Sequence, residues 1–178
     1  MDHRDHVGLI RQGVAGAGPV WADIGAGTGA FTLALADLLG EEGRIIAVDR
    51  DGGALAENCR AVAARFLAAA LTTLVGDLQG QLDLPQLDGL LAANSLHFVA
   101  RERQAPVVAA LARHLRSGAP FVVVEYDADR GNPWVPHPFS VGRWRELAES
   151  AGLVDTVEIG RVPSRFLGSI YAAVSRRP

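Results

Sequence analysis

Apolar and polar positions fall in blocks along this chain, and the blocks set the expected elements. Residues 2–14 place apolar side chains at Val7, Leu9, Ile10 and Val14, the spacing of a short amphipathic helix that runs out in a glycine-rich lead-in over residues 13–18. Residues 20–31 read as a buried strand, a glycine-rich turn and the start of a helix whose apolar pattern continues to Leu39. Residues 43–50 make a second apolar run that ends in an acid, Asp49. A helix over 54–66, strands over 71–75 and 87–93, and a helix over 101–116 stopped by Ser117 and Gly118 follow in turn. Residues 121–125 are almost wholly apolar, which predicts a central strand. Continuous apolar strands alternating with helical patterns predict an α/β protein, its parallel sheet covered by helices on both faces.

The last third of the chain changes character. Residues 127–140 hold three prolines and no periodicity, which predicts a long loop, and loops of that length in compact domains tend to be functional. A helix over 144–151, closed by Gly152, leads to strands over 154–159 and 169–174. The gap between those two strands leaves no room for a crossover helix, so they must pair antiparallel. No internal repeat, low-complexity tract or linker interrupts the chain, and its 178 residues predict a single domain over 1–178.

Composition narrows the function classes. Hydrophobic residues make up 49% and charged residues 21%, ordinary values for a folded globular chain. The longest apolar runs, 66–71 and 121–124, fall well short of the roughly 20 residues a membrane span needs. The polar opening of the chain also differs from a signal peptide, so a cytoplasmic protein with no membrane partner is expected. The single Cys59 excludes an internal disulfide and sits in a helical pattern, where a packed or idle thiol is expected. All 17 basic residues are arginine, so a lysine Schiff base or lysine general base is excluded. The arginines are scattered and the net charge is −3, against the concentrated positive footprint of nucleic-acid binding. His3 and His6 stand three apart but have no acid or cysteine cluster at metal-ligand spacing, so no metal site is expected.

The candidate chemistry lies at the glycine turn. Glycines at 25, 27 and 29 let bare backbone bend sharply and approach a ligand, as at nucleotide-cofactor sites. Taken alone the turn is ambiguous: residues 25–30 also satisfy the looser dinucleotide fingerprint GxGxxA, with Asp49 where a ribose-binding acid would stand. An NAD(P) or FAD site is therefore the rival. Three acids weigh against it: Asp23 before the turn, Asp49 and Asp77 at later strand ends. So do the short chain and the antiparallel finish.

Residues 22–29, 47–49, 75–78 and 93–97, with the tail segments 148–153 and 170–173, resemble the class I S-adenosylmethionine-dependent methyltransferases over nearly the whole chain. That resemblance implies a three-layer Rossmann-like sandwich around a mostly parallel seven-stranded sheet with one antiparallel strand near the C-terminus. It also implies S-adenosyl-L-methionine as cofactor and S-adenosyl-L-homocysteine as product. By the same resemblance Gly25, Ala26, Gly27, Thr28 and Gly29 would surround the amino-acid and ribose portions, and Asp49, with Arg50 beside it, would accept the ribose hydroxyls. Gly76, Asp77 and Leu78 would flank the adenine, Asn94 would close the site at the strand edge, and Asp23 would order the turn and approach the cofactor ammonium.

Methyl transfer from a sulfonium is an in-line displacement that rests mainly on alignment and exclusion of water. If a general base is used, His97 is the best placed. Glu125, Tyr126 and Asp127 are alternatives, and with Trp134 and His137 they are the candidate acceptor residues. Phe139 and Trp144 would either wall that pocket or pin its loop to the core. The acceptor pocket is expected from the N-terminal helix, the segment after Asn94 and residues 127–140, and the acceptor itself is expected to be a small molecule. A non-catalytic cofactor-binding module or partner subunit is the alternative from a different class.

Overall fold

The computed structural model describes all 178 residues. The elements in chain order are α1 (His3–Val14), β1 (Val20–Ile24), α2 (Ala30–Leu39), β2 (Arg44–Asp49), α3 (Gly52–Arg65), β3 (Ala70–Val75), β4 (Gly89–Ala93), α4 (Arg101–Ala112), β5 (Pro120–Tyr126), α5 (Val141–Ser150), β6 (Val154–Pro163) and β7 (Ser169–Arg176). A 3₁₀ turn, Leu96–Phe98, lies between β4 and α4. All strands join one seven-stranded sheet in the order β3-β2-β1-β4-β5-β7-β6. Strands β1 to β5 pair in parallel, and β7 runs antiparallel to both its neighbours.

Period-2 alternation sends successive residues of the inner strands into two apolar layers. On β5, Phe121 and Val123 face a core closed by α4, α5 and the segment 82–87, while Val122 and Val124 face a second core under α1 and α2. Both faces are thus covered at the centre of the sheet, as the apolar strands demand. Cover thins at the β3 edge, where Ala70, Thr72, Thr73 and Val75 are exposed, because the chain crosses from β3 to β4 without a helix. No helix is long and apolar enough to cross a membrane.

Polar caps set several boundaries. Asp2 and Asp5 form a reciprocal capping box at the start of α1, Asp51 accepts from the Gly53 and Ala54 amides at α3, and Ser140 caps α5. Helix α4 stops at Ala112, short of the expected 116. The turn that follows pairs with Leu87, whose amide donates to His114 O while its carbonyl accepts from Arg116 N. That pairing also holds Leu87 outside β4, which therefore begins at Gly89. Asp88 fastens the same corner: its Oδ2 accepts from Val20 N at 3.0 Å and its Oδ1 from Arg116. A Cβ on Gly89 would lie 2.2 Å from the buried Trp21 ring, so β4 passes the indole only as glycine. Strand β6 runs four residues beyond its expected end, continuing against β7 through two register shifts.

Candidate functional site

The carboxyl ends of the parallel strands form one edge of the sheet, and the turn after β1 hangs over it. Gly25 and Gly27 have φ of +73° and +52°, the left-handed region where side chains are strained. The turn is tied down by its own amides. Gly25 N and Ala26 N donate to Val48 O at 2.8 and 2.9 Å, and Gly29 N donates to Ala26 O at 3.0 Å. Gly27 N donates to Asp49 Oδ2 at 2.8 Å, while Asp49 Oδ1 accepts from Asp51 N at 2.9 Å. Asp49 therefore laces the end of β2 to the tip of the turn. A Cβ on Gly25 would sit 2.3 Å from Ser95 Cβ, so the residue after β4 packs directly under the turn.

Between these elements lies a cleft of about 320 Å³. It brings together eight of the sequence-predicted residues: Gly25, Gly27, Asp49, Arg50, Gly76, Asp77, Leu78 and Asn94. Asp77 Oδ1 accepts from Gln79 N at 2.8 Å, which shapes the far wall. Residues not singled out as cofactor contacts also line it: Asp51, Ala54, Gln79, Ser95, Phe98 and Val99. Asp51, Gln79 and Ser95 lie directly beside predicted residues, whereas Ala54, Phe98 and Val99 stand farther along and carried no such signal. Ala26, Thr28 and Gly29 do not line the cleft, and α1 contributes nothing to it because its apolar face packs on α2 and the sheet.

Two oxygens in the cleft wall are buried without a hydrogen-bond partner, Asn94 Oδ1 and Ser95 Oγ. Asn94 also has φ of +50°, strain of the kind that collects at functional sites. Asp23 lies beneath the turn, 1% exposed and outside the cleft lining. Its Oδ2 accepts from Thr32 Oγ1 at 2.6 Å, and that oxygen accepts from Asn58 Nδ2 at 2.8 Å. Burial pushes the Asp23 carboxyl up to about 7, the Thr32 hydrogen bond opposes this, and the charge of Asp49 adds to it.

Beside the cleft, His97 and Glu125 form a buried pair, 3% and 0% exposed. His97 Nδ1 lies 2.9 and 3.0 Å from the two Glu125 carboxylate oxygens, and Tyr126 N donates to Oε1 at 2.8 Å. A carboxylate can only accept, so Nδ1 carries a proton and donates it to Glu125, and Nε2 is the ring nitrogen left free of the pair. Nε2 makes no hydrogen bond within the chain, yet it is not among the buried unpartnered atoms, so it keeps contact with solvent. The ring packs 4.3 Å from Phe98 and 5.6 Å from Tyr126, whose phenol is held above its usual range by burial and then by the Glu125 charge.

The remaining acceptor candidates are spread over this edge and none lines the cleft. Burial raises the Asp127 carboxyl, but hydrogen bonds from Arg161 and the Val141 amide outweigh it and hold the group below its ordinary value. Trp134 is 67% exposed. His137 N donates to His97 O at 3.0 Å and its carbonyl accepts from the buried Gln104 at 2.8 Å, which clips the loop to the turn bearing His97. Phe139 and Trp144 are fully buried and stacked, so they pin the loop to the core.

Strand order, the antiparallel β7 and a glycine turn over the parallel strand ends define the fold class of the S-adenosylmethionine-dependent methyltransferases. The chain belongs to the methyltransferase-domain family, whose model matches residues 22–118. No curated protein matches the sequence. Solved structures share the fold at low identity. The methyltransferase SibL in its apo form superposes with a TM-score of 0.74 at 18% identity over 97% of this chain and 54% of its own. N-methyltransferase NodS from Bradyrhizobium japonicum WM9, solved with S-adenosyl-L-homocysteine, gives 0.74 at 18% over 98% and 86%. YcgJ from Bacillus subtilis gives 0.75 at 14% over 99% and 100%. The chain thus spans about half the length of SibL and the whole of YcgJ.

The residues present fit the cofactor that this family implies. A pyrophosphate needs free amides, whereas the N–H groups of Gly25, Ala26, Gly27 and Gly29 all donate within the chain. A cleft walled by Asp49, Asp51 and Asp77, with two unpartnered oxygen acceptors, suits a cationic ligand rich in hydrogen-bond donors.

Proposed function

We propose that this protein transfers a methyl group from S-adenosylmethionine to a hydroxyl or amine of a small-molecule acceptor, with His97 as general base. The strongest support is the pair of buried oxygens, Asn94 Oδ1 and Ser95 Oγ, left without partners in an acidic cleft. They are suited to the ammonium and hydroxyl donors of the cofactor. Asp49 takes the ribose hydroxyls on the lone pairs that Gly27 and Asp51 leave free, with Arg50 beside it. Gly76, Asp77 and Leu78 border the adenine. Gly25 to Gly29 form the floor of the turn, and Asp23 supports it from below through Thr32.

When bound, the cofactor would supply an electrophilic methyl group on a positively charged sulfur, with a neutral thioether as the leaving group. His97 Nε2 accepts the proton of the acceptor O–H or N–H as the freed lone pair forms the new bond to carbon. Glu125 fixes the ring through Nδ1 and offsets the charge that the imidazole gains. The loop over residues 127–140, clipped to His97 through His137, holds the acceptor side.

Calorimetric titration with S-adenosylhomocysteine and with NADH tests this. Binding of the first and not of the second is expected, and the reverse result would overturn it. Replacing Asp49 by alanine removes two charge-assisted hydrogen bonds, each worth roughly 1.5–3 kcal/mol, so S-adenosylhomocysteine should bind about 10²–10⁴-fold more weakly. Unchanged affinity would refute the ribose assignment.

A further inference from the structure

The three well-exposed aromatic side chains of this protein lie on loops at one edge of the sheet. Phe98 is 56% exposed in the turn after β4, Trp134 67% in the loop after β5, and Phe166 62% in the β6–β7 hairpin. The other large apolar side chains that reach solvent are non-aromatic. Backbone contacts gather these loops. Asp127 N donates to Ser169 O at 2.9 Å, Asn132 Nδ2 donates to Phe166 O at 3.3 Å, and His137 N reaches His97 O. Trp134 is displayed by a braced turn: its amide and that of Val135 both donate to Asn132 Oδ1 at 2.9 Å, and Val135 is buried beneath. An indole held rigidly in solvent is costly unless something covers it.

The charge of this rim opposes that of the cofactor cleft. Arg130, in the same loop as Trp134, and Arg165, beside Phe166, are exposed and form no ion pair. Arg101 donates only to the carbonyls of Asp129 and Pro138. Of the acids nearby, Asp127 and Glu158 are committed to Arg161, and Asp129 accepts from Ser140 N. Three guanidiniums without a carboxylate partner thus stand with two unpaired carboxylates, Asp129 and the exposed Glu102 at the start of α4, while the cleft beyond Phe98 is walled by Asp49, Asp51 and Asp77.

We propose that Phe98, Trp134 and Phe166 with Arg130 and Arg165 form the acceptor subsite, and that it selects a planar aromatic molecule carrying an anionic group. This rests on the methyl-transfer reading for its role in catalysis. The aromatic faces stack on the ring, and the guanidiniums pair with its carboxylate in their planar fork. Phe98 joins the two halves of the site, since it lines the cofactor cleft and packs on the His97 ring.

Three phenols that differ in charge test the proposal: 4-hydroxybenzoate, phenol and tyramine, titrated by calorimetry into the full chain with and without S-adenosylhomocysteine. The anion should bind at least about tenfold more tightly than the neutral phenol, and tyramine most weakly. The double variant R130E/R165E should lose that preference, and W134A should weaken all three alike, both with S-adenosylhomocysteine affinity unchanged. No discrimination by charge, or none of the three binding, overturns the proposal. So does association with phosphatidylserine vesicles in place of phenol binding, which would make the rim a membrane-facing surface. Failure of the cofactor reading appears separately, as loss of S-adenosylhomocysteine binding in the unsubstituted protein.

Discussion

Replacing His97 by glutamine is expected to lower the rate of methyl transfer to a phenol by about 10²–10⁴ while leaving S-adenosylhomocysteine affinity unchanged. The two effects separate because His97 does not line the cofactor cleft, while its carbonyl ties it to the loop proposed to hold the acceptor. Glutamine is the informative replacement, since its amide can still donate to Glu125. Alanine would leave that buried carboxylate with only the Tyr126 amide as donor, losing a charge-assisted hydrogen bond worth about 1.5–3 kcal/mol. A phenol with a pKa near ~10 depends on a base at neutral pH far more than a thiol near ~8.5. The loss in the variant should therefore shrink when a thiol is the acceptor. Glu125→Gln keeps an acceptor for Nδ1 but removes the charge that offsets the imidazolium, and an intermediate loss is expected. Rates of S-adenosylhomocysteine release that are equal in wild type and His97→Gln would remove His97 from the chemistry.

The second large effect is on stability and concerns Asp23. Burial raises its pKa from 3.8 to about 7 in the folded protein, so between those values the native state binds its proton more tightly than the unfolded chain does. Stability contributed by this group is full below about pH 4, falls as pH rises and is gone above about pH 7. At 1.36 kcal/mol per unit the whole span is roughly 4 kcal/mol. Urea unfolding of wild type and Asp23→Asn across this range should give a stability difference that moves against wild type by that amount and then levels off. A flat difference would mean that the carboxylate is ionised throughout, held by the Thr32 and Asn58 chain alone. In wild type, ionisation of Asp23 also favours a cation above the turn. S-adenosylhomocysteine, with its ammonium group, should therefore bind more tightly as pH passes 7, a trend absent from Asp23→Asn.

Local signals made most of the scaffold readable. Strands β1, β2 and β5 are runs of apolar residues closed by an acid or a glycine, and no helix can hide such a run as well as the centre of a sheet. The cofactor side was equally local, because Gly25, Asp49, Asp77 and Asn94 each end a strand and the sheet carries strand ends to one edge. The proposed acceptor side rests on contacts distant in sequence. His97 and Glu125 are 28 residues apart, Asp127 and Arg161 34. No periodicity encodes either pair, so Glu125 and Asp127 read alike, as strand-end acids that could serve as a base. Trp134 and Trp144 looked alike as aromatics near a loop. One proved exposed and the other fully buried, a difference set by the Asn132 turn and the Phe139 stack. The extent of α4 was missed for a similar reason, since the stop signal is Leu87, well upstream in the chain.

The strand order also governs how this chain must acquire its structure. β1 lies between β2 and β4, and Trp21 meets Gly89 only after the intervening segments have formed. β5 waits longer still, because its outer neighbour is β7 at residues 169–176. During synthesis the most apolar strands therefore exist for a time with one edge unpaired, and non-local parallel pairing of this kind is slow and exposed to aggregation. The Asp88 contacts to Val20 and Arg116 act at that junction. They tie the β4 corner to β1, so the pairing of the two strands and the turn after α4 is fixed by one side chain.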